Sequence, residues 1–265
     1  MGHEGSAPSL DALVVAGAVA GVVLYVVAVV RSRQRGRPWP WLRVVSWFAG
    51  VAAAMISVAG PLAVASHGSF VAHMWAHLLV GMLAPLLLVL AAPISLALRA
   101  LSVDSARQLS RVLRSRVLRV LSHPVTAACL NAGGLWLIYW TPLLGWMQSS
   151  SLVHVAVHAH LLLAGYLLTA AAIGVDPTPH RVPNLITGAA LLATMASHSI
   201  LAKTLYANPP DLYAVADVQA GAQLMYYAGS WIEAAIVALF CARWYREAGR
   251  HASRMPRGAA ASQMR

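Results

Sequence analysis

The sequence predicts an all-α integral membrane protein, a bundle of seven transmembrane helices. Three observations carry that prediction. The chain is 59% hydrophobic and only 10% charged, where a soluble domain carries about 25% charged residues. Seven apolar runs approach or exceed the ~20 residues that cross a hydrocarbon core about 30 Å thick. Of the 19 basic residues, 18 fall on one side of the resulting bundle. The mean hydropathy of +0.67 agrees.

The runs are Leu10 to Val30, Val44 to Ala65, Val71 to Ala92, Pro124 to Trp140, Leu152 to Gly174, Leu185 to Tyr206 and Val218 to Tyr245. In hydrocarbon a spanning segment must satisfy its own backbone, so each is expected to be a helix. Pro61 and Pro85 lie inside the second and third runs and predict kinks there. Residues 1–9 form a polar leader without a basic residue, unlike a signal peptide, so the first run is read as a retained helix. Residues 10–245 form the membrane domain. Residues 246–265 form a basic tail of disordered composition.

Charge sets the expected orientation. Arg31 to Arg43, Arg99 to Arg119, Arg181, and Arg243 to Arg265 all lie on one side, and Lys203 lies near the other. The positive-inside rule makes the arginine side cytoplasmic, with the N-terminus outside and the C-terminus inside. A net charge of +11 distributed in this way points to anionic lipid headgroups and not to nucleic acid. Residues 99–119 alternate apolar residues with arginine and predict an amphipathic helix on the cytoplasmic surface. Cys129 and Cys241 lie in apolar runs with no CxxC or zinc spacing, and are read as small buried hydrophobes.

The chemistry gathers at the opposite end. Of 11 histidines, His73 and His77 are four residues apart, as are His154 and His158. That spacing places two imidazoles on one helix face, about 5–6 Å apart at Cβ. His198 lies at a similar depth on the sixth run, with Met195 on the same face. His67 is in the short loop between the second and third runs, and Asp217, Gln219 and Gln223 open the seventh run. Ionisable groups inside a membrane are costly and usually functional, so the matched pairs predict a metal or haem site. The core set is His73, His77, His154, His158, His198 and Asp217, with His67, Met74, Met195, Gln219 and Gln223 as accessories. Imidazole suits copper, zinc and iron, and thioether selects Cu(I). No HExxH is present, and no glutamate stands beside the histidines as a hydrolytic base. One histidine on each of two facing helices also suits a b-type haem, so a haem-binding electron-transfer protein stays open, as does a metal transporter. His160 points away from the His154/His158 face and is read as a helix-pairing residue. Glu233, deep in the seventh run, is read as a structural hydrogen-bonding group too far along the helix to join the cluster.

Three stretches resemble a known family in the family's order. HMWAHLLVGMLAPLLLVLAAP from His73, HVAVHAHLLLAGYLL from His154 and LYAVADVQAGAQLMYYAGS from Leu212 are similar to segments of the CtaG family of membrane-embedded cytochrome c oxidase assembly factors. The chain departs from that pattern at Val218, where the family has Gln, and at Tyr226 or Tyr227, where it has Trp. The resemblance implies a non-enzymatic role in the bacterial plasma membrane. The implied role is supplying copper, as Cu(I), to a haem–copper oxidase at the outer face. The implied partners are oxidase subunits and an extracytoplasmic copper donor.

Overall fold

The computed structural model describes residues 10–178, 180 and 182–252. The leader 1–9, Arg181 and the tail beyond residue 252 lie outside the described residues. Among the described residues every regular element is helical. Six helices are long and apolar enough to cross a membrane, and a bent pair makes seven if it is counted as one span.

Helix α1 (Leu10–Gln34) lies against α2 (Trp41–Ala59), which continues after a break at Gly60 into α3 (Pro61–Ala65). The proline that predicts a kink takes the first position of α3, where its missing N–H costs nothing. The third span is composite. It comprises α4 (Phe70–Leu78), a π-helical turn (Leu79–Leu83), α5 (Ala84–Leu90) and α6 (Pro93–Ala100). It is the centre of the bundle: half of its apolar window is buried, against 11% for α1. It packs on α2, on α11 (Ser151–Ile173) and on α13 (Val215–Ala252), while α12 (Asn184–Ala207) bridges α13 and α9 (Pro124–Trp140).

The π turn has a local cause. Ala84 N–H bonds the carbonyl of Leu79, five residues back, and Pro85 has no N–H to give. The carbonyl of Gly81 then lies against Gly165 of α11. A Cβ on Gly165 would run into that oxygen and would meet Pro85 Cγ at 2.9 Å. Gly165 therefore permits the approach of the two histidine-bearing helices. At the far end of α5, Ala92 is left-handed (φ 50°) before Pro93, which starts α6. The N–H groups of Ile94 and Ser95 are accepted by Asp176 at 3.2 and 2.7 Å. Tyr25 O–H donates to Ala91 O at 2.9 Å and accepts from Trp39 Nε1 at 3.0 Å, fastening α1 to this corner.

The structure corrects two expectations. The stretch 99–119 is not one helix. Arg99 ends α6, and the amphipathic part divides at Ser115 into α7 (Val103–Leu113) and α8 (Arg116–Leu121). Ser102 and Ser115 each cap a new helix by accepting a backbone N–H, which favours starting a helix over continuing one. The fourth run has the expected bounds, Pro124–Trp140, and is bent by 78° at Thr141-Pro142 from α10 (Leu143–Ser149), with which it makes the seventh candidate span. Cys129 and Cys241 are exposed, not buried. An apolar helix in a membrane protein presents hydrophobic residues on its outer face as well as inward, so hydropathy does not report burial.

The close approach at Gly165 yields a test. Gly165→Ala is expected to lower stability by roughly 1–3 kcal/mol through overpacking. Gly133→Ala, where an added Cβ meets open space, should leave stability unchanged or raise it. Thermal unfolding in detergent compares the two.

Candidate functional site

The histidine-bearing ends of α4 and α11 start in the same way. Ser69 caps α4 by accepting from Ala72 N–H, and Ser150 caps α11 by accepting from Val153 N–H. Asp217 strengthens the first start from another helix. Its Oδ2 accepts Phe70 N–H at 2.5 Å, and its Oδ1 accepts Val71 N–H at 3.4 Å and the Ser69 hydroxyl at 3.2 Å. A carboxylate at a helix N-terminus satisfies orphan donors and opposes the positive end of the dipole. The first turn of α13 thereby fixes the helix that carries His73 and His77.

From these starts the histidines fall into two tiers. The outer tier begins at His67, exposed in the loop before α4. The His67 ring stacks on His154 at 5.8 Å, and His154 stacks on His158 at 4.1 Å between centroids. A cavity of about 270 Å³ opens here, lined by His67, His154, Met147 and Gln148 among others. His158 Nδ1 lies 2.9 Å from the His154 carbonyl. A carbonyl only accepts, so Nδ1 carries the proton, and in the neutral ring Nε2 is the free lone pair. His73 lies beside this tier with its Nε2 at 3.1 Å from the Tyr139 hydroxyl, which also meets Met74 Sδ at 4.0 Å.

The inner tier is His77 and His198, with ring centroids 5.8 Å apart. Glu233 joins it: Oε1 lies 3.2 Å from His198 Nδ1. This corrects the expectation that Glu233 sits too far along its helix. α12 and α13 pack side by side, so a residue sixteen positions after Asp217 meets a histidine of the neighbouring helix. Gly229 makes the room, since a Cβ there would meet His198 Cε1 at 2.6 Å. The pair borders a cavity of about 40 Å³ whose wall also carries Asn131, Thr169, Thr194 and Met195.

The polar accounting is uneven. His160 Nε2 lies 3.0 Å from Leu130 O of α9, as expected of a helix-pairing residue. Trp136 Nε1 donates to Ser197 Oγ at 2.8 Å. Yet His77 Nδ1 and Nε2, His154 Nε2 and His198 Nε2 are buried without a partner among the described residues. An unsatisfied buried polar group costs about 1–3 kcal/mol, and such groups call for an explanation, such as an ion or a water.

The predicted set is therefore only partly brought together. His67, His154 and His158 form one group, His77 and His198 another, and His73 lies between α4 and Tyr139. Asp217 is engaged in capping. Gln223 is exposed and Gln219 half-buried. Met195 lines the inner cavity, and Met74 is fully buried against Tyr139. Among the described residues no three His, Cys, Asp or Glu side chains converge as a closed metal shell. Met147, read from the sequence as a packing residue, lines the mouth, and Tyr139, which meets His73, carries no sequence signal. Glu233 did carry one, as a carboxylate inside an apolar span.

Removing the cap has a defined consequence. Asp217→Ala should cost roughly 1–2 kcal/mol of stability, the range for a lost N-cap acceptor. Thermal unfolding in detergent should show it, and an unchanged melting curve would contradict the capping role.

The profile of the cytochrome c oxidase caa3 assembly factor family (Caa3_CtaG) matches residues 23–247. Uncharacterized proteins of Mycobacterium leprae (strain TN) and of Mycobacterium tuberculosis (strain CDC 1551 / Oshkosh) are each 32% identical to the chain over 196 residues. The alignments cover 71% of this chain and 30% of each relative, so the chain matches under a third of their length. No solved structure matches the chain. The matched region takes in all the histidines of both tiers, and the chain belongs to the family of cytochrome c oxidase caa3 assembly factors.

Proposed function

We propose that the chain accepts copper at its histidine end and passes it to a haem–copper oxidase during assembly. The single observation that carries this reading is the run of imidazoles with unpartnered ring nitrogens leading inward from an open mouth. Copper is the cargo here and not a resident cofactor. The mouth offers two imidazoles and the Met147 thioether, a donor set that favours Cu(I). Pairs of ligands without a closed shell suit hand-over, because an ion moves by exchanging one ligand at a time. No bond of the protein is made or broken, so the role is that of a carrier and not of an enzyme.

In this reading the histidine end faces outward, where an extracytoplasmic donor delivers the ion, and the arginine end faces the cytoplasm of a bacterial plasma membrane. His67 and Met147 receive the ion, and His154 and His158 hold it. His77 and His198 form the inner stop, with His73 and Tyr139 beside the path. Glu233 accepts the Nδ1 proton of His198 and leaves Nε2 as the donor atom, the arrangement by which a carboxylate orients a metal-binding imidazole. The inner cavity, about 40 Å³, has room for an ion or a water and not for a macrocycle, which favours copper over haem.

Two measurements test this. After loading with Cu(I), His154→Ala/His158→Ala should lose bound copper, while His160→Ala, whose ring already bonds Leu130, should keep it. Equal copper in all three proteins, measured by elemental analysis, would remove the histidine pair from the site. Glu233→Gln should weaken Cu(I) binding at the inner pair by roughly 10–100-fold in a competition titration. An affinity equal to wild type would leave Glu233 as a purely structural partner.

A further inference from the structure

The opposite end of the molecule carries a second built feature. A crevice of about 890 Å³ lies between the end of α1, the α6–α7 corner and the face of α7. Six arginines line it, Arg35, Arg37, Arg99, Arg107, Arg111 and Arg114, and no acidic residue does. Two of the six are held in place. Arg35 Nη1 donates to the carbonyls of Arg99 and Leu101, both at 2.8 Å, and so closes the α6–α7 corner. The Arg99 guanidinium lies 5.1 Å from the centroid of the buried Trp39 ring. Arg107 pairs with Asp104 at 3.5 Å, but both side chains are largely exposed, so that pair contributes little. Arg37, Arg111 and Arg114 have no side-chain partner among the described residues. The concave wall thus concentrates positive charge that, among the described residues, only Asp104 offsets, at Arg107.

The surroundings say what would neutralise it. α7 and α8 have no buried residue, and they expose Val103, Val112, Val117 and Val120 beside their arginines. Helices with that composition lie in a membrane interface, apolar face towards the acyl chains. Leu98, Leu101, Val103 and Ala106 line the same crevice. An occupant that meets both walls carries phosphate at one end and acyl chains at the other. Guanidinium groups bind phosphate oxygens in pairs, and several uncompensated arginines around one hollow match more than one phosphate.

We propose that this crevice is a specific site for a phospholipid with two phosphates in its headgroup. The phosphates lie between Arg37, Arg111 and Arg114, and the chains lie over Leu98 and Val103. The site anchors α7 and holds the α6–α7 corner at the end of the same composite span that carries His73 and His77. It does not depend on whether copper is bound.

The test uses the purified full chain in vesicles of phosphatidylcholine containing either a diphosphatidyl lipid or phosphatidylglycerol at equal total charge. Native mass spectrometry counts the lipid retained after extraction. The wild type should retain the diphosphatidyl lipid in preference to phosphatidylglycerol. Arg111→Ala/Arg114→Ala should lower that retention roughly 10–30-fold, from about 1 kcal/mol per arginine at about 1.4 kcal/mol per tenfold. Arg31→Ala/Arg116→Ala removes two exposed arginines from the same end but outside the crevice, and should keep the preference. Equal retention of the two lipids, or equal loss in both double variants, would reduce the crevice to a general basic surface and overturn the proposal. Binding of inorganic pyrophosphate, or of an acidic peptide, in phosphatidylcholine alone with the same dependence on Arg111 and Arg114 would overturn the lipid assignment. The melting curve of each variant separates loss of lipid from loss of fold.

Discussion

Hydrocarbon offers a polar group no partner, so each polar atom inside this bundle must find one within the protein. That constraint organises the structure. Tyr25, Trp39 and Ala91 close one corner, and His160 and Leu130 tie α11 to α9. Trp136 and Ser197 tie α9 to α12. Two of the chain's 8 acids are spent on helix starts far from them in sequence, Asp176 on α6 and Asp217 on α4. Against that background the unpartnered nitrogens of His77, His154 and His198 stand apart. They lie together at one end, while Trp47 Nε1 on α2 is likewise buried without a partner among the described residues.

The same end shows how the backbone serves the side chains. Pro85 withholds a donor, the helix relaxes into a π turn, and the Gly81 carbonyl meets Gly165. The turn lies immediately after His77, so the helix register changes between the part that carries imidazoles and the part that packs on α2 and α11. Gly229 plays a similar role on α13 by leaving room for the His198 ring. Small residues here are matters of distance between helices, as is usual where hydrophobic burial cannot drive association.

Two tiers differ in kind from one closed shell. A closed tetrahedral site retains its ion and contributes folding energy. In the carrier role proposed above, a ladder of pairs gives an ion several positions in turn, where a closed shell gives one. The separation also accounts for Glu233. In a single outer cluster it has no place, but in an inner tier its Oε1 meets His198 Nδ1 at 3.2 Å. The arginine crevice at the other end is joined to the ladder by the composite span α4–α6, the most buried of the spans.

Much of this was legible in the residues. Apolar runs determined where helices lie, because in hydrocarbon no other backbone arrangement is open to them. The i, i+4 spacing determined that His73 and His77, and His154 and His158, share faces, because 3.6 residues make one turn. What the sequence could not determine is which faces meet. The bend at Thr141-Pro142, the division of 99–119 at a serine cap and the exposure of both cysteines depend on competition between local caps and packing, and on the fact that lipid accepts apolar side chains as readily as a core does. The His198–Glu233 pair, the contact of Tyr139 with His73, the place of Met147 at the mouth and the use of Asp217 as a cap all join residues on different helices. The rotation and separation of those helices are set by close contacts such as Gly81 on Gly165, and only the tertiary structure decides them.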